Sequence, residues 1–309
     1  MPTRHFLTLR DLLPEELASL VDRAIALKRD PKSGREIMRN KTLALIFDKS
    51  STRTRVSFET AVTQLGGNTI FLPPGDSQLG RGEPVEDTAR VLSSMVDVVV
   101  IRTAAHDMVE TFARFSTVPV INGLTDCFHP CQLLADVQTY VEMRGTISGT
   151  KVAWVGDGNN VCQSWMNAAC LFDFELNVAT PKDYRPDDSV TALCESNVRI
   201  IEDPRAAAAA ADILVTDTWA SMGHEKEKQK RSEAFKSYQV DTEMMRLASD
   251  DVLFMHCLPA YRGCEVTAEV IDGPRSVVWR QAENRLYAQK ALLEFLLGPA
   301  AGRSQQARS

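Results

Sequence analysis

Short apolar runs alternate with helix-forming stretches along almost the whole chain, and this alternation constrains the fold more than any other feature. Thr42–Phe47, Thr69–Leu72, Asp97–Ile101 and Pro119–Ile121 form a first set of runs. Lys151–Val155, Glu175–Ala179, Val198–Ile201, Asp212–Thr216, Val252–Met255 and Val277–Trp279 form a second. Strands interleaved with helices imply parallel sheets covered by helices on both faces. A long helical stretch, about Gln132 to Arg144, separates the two sets. The expected class is α/β: two doubly wound parallel-sheet domains joined by crossing helices. The expected bounds are 1–140 and 151–285, with a C-terminal helix over 286–299 packing back on the first domain. The 309 residues suffice for two domains of ordinary size.

Helix signals are explicit. Leu13-Pro14-Glu15-Glu16 opens a helix whose buried face is Leu17, Leu20, Val21, Ala24 and Leu27. Phe58, Ala61, Val62 and Leu65 share one face of a second, stopped by Gly66-Gly67. The alanine run Ala206–Ala211 predicts a helix packed closely on a sheet. The charge run Glu225–Arg231 predicts a solvated face.

In open parallel sheets, ligands bind beyond the carboxyl ends of the strands. Here those ends carry unusual polar residues. Thr42–Phe47 leads to Ser51-Thr52-Arg53-Thr54-Arg55, and Asp97–Ile101 ends in Arg102. Pro119–Ile121 leads to His129-Pro130-Cys131-Gln132, and Lys151–Val155 to Gly156-Asp157-Gly158-Asn159-Asn160. Asp212–Thr216 ends in Asp217, with Ser221-Met222-Gly223 just after, and Val252–Met255 ends in His256-Cys257-Leu258-Pro259. Singly, each has a bland reading: a surface arginine, a turn histidine, a small buried cysteine, a capping aspartate. Six in one chain exceed what solvation requires.

The S-T-R-T-R turn is the sharpest of these. A helix that starts there presents unpaired N–H groups and the positive end of its dipole. Serine and threonine hydroxyls add donors, and arginine adds a planar fork that matches phosphate oxygens. The bland alternative is an N-cap followed by two solvated arginines. Gly156-Asp157-Gly158 is no dinucleotide fingerprint: the third glycine position holds Val161, and the next strand ends in Thr180-Pro181 rather than an acid.

Composition excludes several classes. A formal net charge of −6 argues against non-specific nucleic-acid binding, so an anionic ligand needs a local basic site. The seven cysteines include no C-x-x-C pair. Cys127, His129 and Cys131 lack a second ligand cluster for zinc, and no metal or cofactor is expected. A chain of this size does not need a disulfide framework, so the cytoplasm is the expected compartment. The N-terminus lacks the apolar core of a signal peptide, and no apolar run reaches membrane-span length.

From about Phe6 to Leu297 the chain resembles the aspartate/ornithine carbamoyltransferase superfamily. S-T-R-T-R is shared widely there; H-P-C-Q at 129–132, Asp217 with Ser221-Met222-Gly223, and H-C-L-P at 256–259 resemble the ornithine branch. The resemblance implies that Ser51, Thr52, Arg53 and Thr54 hold the phosphate of carbamoyl phosphate. It implies that Arg102, His129, Gln132 and Arg285 contact the same substrate, and that Gln78 reaches a neighbouring subunit's site. Asn160, Asp217, Ser221 and Met222 would bind L-ornithine, with Cys257 and Leu258 between the substrates. The first domain would then hold carbamoyl phosphate and the second L-ornithine. The implied catalytic set is Arg102, His129, Asp217 and Cys257, in a homotrimer with shared active sites. The implied reaction transfers the carbamoyl group to the δ-amine, giving citrulline and phosphate, with arginine biosynthesis the expected setting. Neither membrane nor nucleic acid is an expected partner.

Rival acceptors are weighed by charge. Aspartate would need cations where this chain has Asp217, and putrescine would need no grip on an α-carboxylate. A non-catalytic relative would have lost Arg53, Arg102, His129 or Cys257, and all four are present.

Overall fold

The computed structural model describes residues 3–34, 36–73, 82–219 and 228–298. In chain order the first elements are α1 (Pro14–Arg29), β1 (Thr42–Phe47), α2 (Thr52–Gln64), β2 (Asn68–Leu72), α3 (Val85–Ser93), β3 (Val98–Arg102), α4 (His106–Phe115), β4 (Val120–Leu124) and α5 (Pro130–Arg144). There follow β5 (Lys151–Val155), α6 (Asn160–Phe172), β6 (Glu175–Ala179), α7 (Asp188–Ala192), β7 (Val198–Ile201), α8 (Pro204–Ala208) and β8 (Ile213–Thr216). The last are α9 (Lys228–Ala234), α10 (Thr242–Leu247), β9 (Leu253–His256), α11 (Ala268–Ile271) and α12 (Val278–Leu297). The chain divides into two compact units: residues up to Gln138 with those from Asn284 onward, and Thr139–Glu283. Each boundary falls inside a helix, α5 or α12, so Arg285 belongs to the first unit.

The first unit holds a four-stranded parallel sheet in the order β2-β1-β3-β4. Its two central strands are buried along nearly their full length, which explains their unbroken apolar runs. Phe6 extends the sheet beside β4, donating to Val120 O at 2.8 Å and accepting from Asn122 N at 2.8 Å. Ala44, Ile46, Val99, Ile101, Phe112 and Val120 anchor one core cluster of this unit. The Leu13 N–H donates to Glu16 at the start of α1, and Gly66, at φ +83°, terminates α2.

The second unit holds a five-stranded parallel sheet in the order β7-β6-β5-β8-β9. Ala153, Val155, Leu214, Phe254, Trp219 and Phe235 belong to its core cluster.

Three expectations are corrected. Val277–Trp279 is no strand: Ser276 makes one bridge to Phe254, Val277 N donates to Phe254 O, and α12 begins at Val278. The alanine run is helical only to Ala208; Ala210 turns at φ +57°, and its N–H goes to Leu247 O at 2.9 Å. Arg231, at the end of the charge run, is half-buried and paired with Asp157 rather than fully solvated.

Candidate active site

In each sheet the strand order reverses once, and the polar strand ends gather at that reversal. In the first unit it lies between β1 and β3, where the chain leaves β1 towards β2 and β3 towards β4. A crevice beyond the strand ends at such a point is where open α/β sheets place their ligands.

Ser51 caps α2, its hydroxyl accepting from Thr54 N at 3.4 Å. The first turn of α2 therefore opens at the end of β1, its amide dipoles pointing out of the N-terminus. Arg102 is the last residue of β3, where the β3–β4 register shifts by one residue, a bulge that re-aims the strand end. Gly123 is the residue skipped. A Cβ there would lie 3.1 Å from Val100 Cγ1, 3.2 Å from Ile101 O and 3.6 Å from the Thr54 methyl. The absent side chain lets α2 and the bulge approach each other.

His129 immediately precedes α5. The loop leading to it is fixed by Thr125, whose N–H donates to Phe128 O at 2.9 Å and whose hydroxyl accepts from Phe128 N at 3.2 Å. Asn122 adds a side-chain N–H to Leu7 O at 2.9 Å.

Arg285 joins these pieces. One terminal nitrogen donates to Thr54 Oγ1 at 3.0 Å, and the other to Gln132 Oε1 at 2.9 Å while lying 3.5 Å from His129 Nε2. Gln132 in turn donates to Asp136 Oδ1 at 2.8 Å. Exposures of 0 % for Thr54, 7 % for Arg102, 4 % for His129, 1 % for Gln132 and 3 % for Arg285 rule out the surface readings. Burial, then the Arg285, Arg102 and Arg53 guanidiniums, holds His129 well below the usual imidazole range. Its ring is therefore neutral at pH 7. A guanidinium only donates, so the Nε2 that Arg285 faces at 3.5 Å can meet it only as an acceptor. Thr54 accepts from Arg285 and keeps its own hydrogen to donate. The cluster is a buried, cation-rich set of donors suited to a small phosphorylated carbonyl compound.

Arg55 points elsewhere. It pairs with Glu59 at 2.8 Å and stacks over the Phe71 ring at 3.9 Å. Cys131 is buried, donates to Asn122 O at 3.4 Å, and has its thiol pushed up to about 12 by burial, so it stays protonated.

In the second unit the reversal lies between β5 and β8. Asp217 directly follows β8, and its Oδ1 accepts from Thr218 N at 2.8 Å and from Cys257 Sγ at 3.1 Å. Its Oδ2 accepts from Asn159 Nδ2 at 2.8 Å. Asn159 also caps α6, taking Val161 N and Cys162 N on its Oδ1. Asn160, half-buried, is the first residue of that helix. Arg231 ties the two strand-end loops together, donating to Asp157 at 2.7 Å and to Trp219 O at 2.9 Å. The result is a buried carboxylate with a thiol on one oxygen and an amide on the other, an acidic seat for a cationic amine.

Asp217, His256 and Cys257 place ligand atoms within 4.8 Å of one another. Both His256 ring nitrogens are engaged elsewhere: Nδ1 takes Leu258 N at 2.9 Å and Nε2 faces Glu265 at 3.2 Å. That engagement argues against a metal centre there.

Of the residues singled out in the sequence, Thr54, His129, Gln132 and Arg285 are brought into one bonded cluster, with Arg53 and Arg102 close enough to act on His129. Asp217 and Cys257 meet in the second unit. Gln78, Ser221 and Met222 lie outside the described residues. Sequence reasoning named Asn159, His256 and Arg231 only within longer stretches and gave them no role of their own, and it missed Asp136 and Glu265. The capping position of Asn159 and the four-residue spacing of Gln132 and Asp136 were the readable signals.

One α/β unit thus carries a buried, cation-rich donor cluster suited to an anion, and the other a carboxylate–thiol cluster suited to an amine. Residues 4–142 match the profile described as the carbamoyl-P binding domain of aspartate/ornithine carbamoyltransferase, and residues 148–296 match its Asp/Orn binding domain. The chain belongs to the aspartate/ornithine carbamoyltransferase family. It is 60% identical over 299 residues to an ornithine carbamoyltransferase of Nitrosococcus oceani, covering 96% of this chain and 98% of the relative. It is also similar to the solved ornithine carbamoyltransferase of Pyrococcus furiosus, with a TM-score of 0.92 at 48% identity, covering 96% of this chain and 98% of that one. The anabolic ornithine carbamoyltransferase of Campylobacter jejuni matches with a TM-score of 0.89 at 44% identity, covering 95% of this chain and 99% of that one.

Proposed function

We propose that this protein transfers the carbamoyl group of carbamoyl phosphate to the δ-amine of L-ornithine, giving L-citrulline and phosphate. The Asp217 carboxylate, held by Cys257 and Asn159, carries the choice of acceptor, because it suits a cationic amine and opposes a second carboxylate.

Ser51, Thr52, Arg53 and Thr54, with the α2 N-terminus, hold the phosphate. Arg102, Thr54 and neutral His129 polarise the carbonyl and stabilise the oxyanion that develops as nitrogen attacks. Arg285, bonded to Thr54 and Gln132, fixes these donors. Asn160 and Asp217 bind ornithine, and Ser221 and Met222 grip its α-carbon groups. Asp217 and Cys257 orient the δ-amine, whose unperturbed pKa is roughly that of lysine, about 10.4. It must lose one proton to solvent before attack; a new C–N bond then forms, the C–O bond to phosphate breaks, and the departing phosphate takes the second proton from the attacking nitrogen. The chemistry needs no covalent enzyme intermediate.

Incubation with carbamoyl phosphate and, in separate reactions, ornithine, putrescine, N-acetylornithine or aspartate tests the assignment. Citrulline should form, and the ornithine rate should exceed the others. No citrulline at millimolar substrate would sink the reading.

The synthetic direction is the preferred setting, supported by similarity to a relative described as anabolic. A hyperbolic carbamoyl phosphate saturation curve is expected; strong sigmoidality would favour the catabolic direction. A homotrimer, with Gln78 serving a neighbour's site, and a cytoplasmic location complete the proposal. Seven free thiols support a reducing compartment. Among the described residues, no helix is long and apolar enough to cross a membrane.

A further inference from the structure

Asp136 is fully buried and has no part in the reaction as set out above. It stands one turn beyond Gln132 on α5, and its Oδ1 accepts from Gln132 Nε2 at 2.8 Å. On the other side of the amide, Gln132 Oε1 accepts from Arg285 at 2.9 Å. A carboxylate only accepts and a guanidinium only donates, so both neighbours fix the amide the same way round. Turned over, it would set its oxygen against the carboxylate and its NH2 against the guanidinium. The two bonds are independent locks on one orientation.

A carbamoyl group makes a demand that most of the cluster does not meet. Its amino group is a donor and needs an acceptor. The side chains gathered here are chiefly donors: the guanidiniums of Arg53, Arg102 and Arg285, and the Thr54 hydroxyl, which keeps its hydrogen. His129 Nε2 already faces Arg285 at 3.5 Å. Gln132 Oε1 has a second lone pair beyond the one that Arg285 takes. An anion entering the cluster competes with Gln132 for the Arg285 guanidinium, which weakens the lock on that side. The bond to Asp136 is untouched by that exchange, so the oxygen stays turned towards the cluster.

Acetyl phosphate has the same phosphate and the same carbonyl, with a methyl in place of the amino group. An acceptor oxygen held in place serves one and not the other. An amide free to turn loses that preference. We propose that Asp136 is a positioning residue for donor selectivity: by holding the Gln132 amide, it presents an acceptor to a carbamoyl NH2 and so favours carbamoyl phosphate over acyl phosphates. This deepens the assignment of carbamoyl phosphate as the donor and rests on it.

Calorimetric titration with carbamoyl phosphate and with acetyl phosphate, each without ornithine, tests the role. Wild type should bind carbamoyl phosphate about 10-fold more tightly or better, the order expected when a buried acceptor is paired by one ligand and left unpaired by the other. In Asp136→Asn the new amide can pair with Gln132 either way round, so the preference should fall below about three-fold. Asp136→Ala removes the lock altogether and should behave likewise. Any gain in anion affinity from removing a negative charge is shared by both ligands and cancels in the ratio. Asp136→Glu keeps an acceptor carboxylate and should keep more of the preference than either. A merely structural role would weaken both ligands alike and leave the ratio where it was. A wild type without the preference, or a ratio unchanged in the asparagine and alanine variants, would overturn the proposal. So would failure of both variants to fold by circular dichroism, since Asp136 would then be a requirement of the fold. Wild-type citrulline formation, run in parallel, keeps the two levels apart: no citrulline overturns the donor assignment, whereas citrulline with an unmoved ratio overturns only the role of Asp136.

Discussion

Arg285 gives its two terminal nitrogens to three groups, Thr54, Gln132 and His129, so its planar fork is a geometric part and not only a charge. Arg285→Lys should therefore fail to substitute. Losing a charged hydrogen bond costs about 1.5–3 kcal/mol, or roughly 10- to 150-fold in carbamoyl phosphate affinity, measurable by calorimetry. An affinity within two-fold of wild type would contradict this. The two arginines of S-T-R-T-R should likewise part company. Arg53→Ala should impair kcat/KM strongly, whereas Arg55→Ala should leave it within two-fold, because Arg55 is occupied by Glu59 and Phe71. Its half-exposed ion pair is worth about 0.5 kcal/mol. At this scale the sequence was informative where chemistry is unusual, as with Arg53, Arg102, His129 and Asp217. It was silent on Asp136 and Glu265. A buried acid is indistinguishable from a solvated one until the fold shows what covers it.

Nine apolar runs became strands, most within a residue or two, because a strand buried on both faces is continuously apolar. Val277–Trp279 has the same composition but became a helix start: a short apolar run does not distinguish strand from buried helix, and here only one bridge forms. Alanine propensity did not extend α8 past Ala208, since β8 must begin at Ile213 and the intervening residues must turn. The bulge between β3 and β4 was not legible either. A glycine in a strand has several meanings, and only the packing of Val100, Ile101 and Thr54 around Gly123 selects close approach. Gly123→Ala should cost about 1–3 kcal/mol in urea unfolding by overpacking. It should also raise KM for carbamoyl phosphate, because the groups that must give way are Val100 and Ile101, on the strand that ends in Arg102. Loss of stability without a KM change would reduce the bulge to a packing feature.

For the molecule as a whole, the alternation of strands and helices foretold two α/β units, yet no linker composition marked their limits. The boundaries lie inside continuous helices, α5 and α12, so there is no loop to read. One collective property of the first unit follows from its histidines. Burial lowers the proton affinity of His5, His106 and His129, in the last case aided by three guanidiniums. Nearby Glu110, Asp11 and Asp107 only partly offset this for His106. In the unfolded chain each would titrate near 6.5. The unfolded state thus binds more protons below that pH, and the stability of the fold falls as pH drops through it towards the lowered folded values. Asp11, whose carboxyl is raised by burial, works in the opposite sense, in the carboxylate range below the histidine window. Urea unfolding between pH 7.5 and 5.5 should show a declining free energy, and the decline should be shallower in His129→Asn. Far-ultraviolet circular dichroism is the appropriate probe, because all four tryptophans, Trp154, Trp165, Trp219 and Trp279, belong to the second unit. Stability at pH 5.5 equal to that at 7.5 would show that these histidines take up their protons without unfolding the pocket, contrary to the burial that surrounds them.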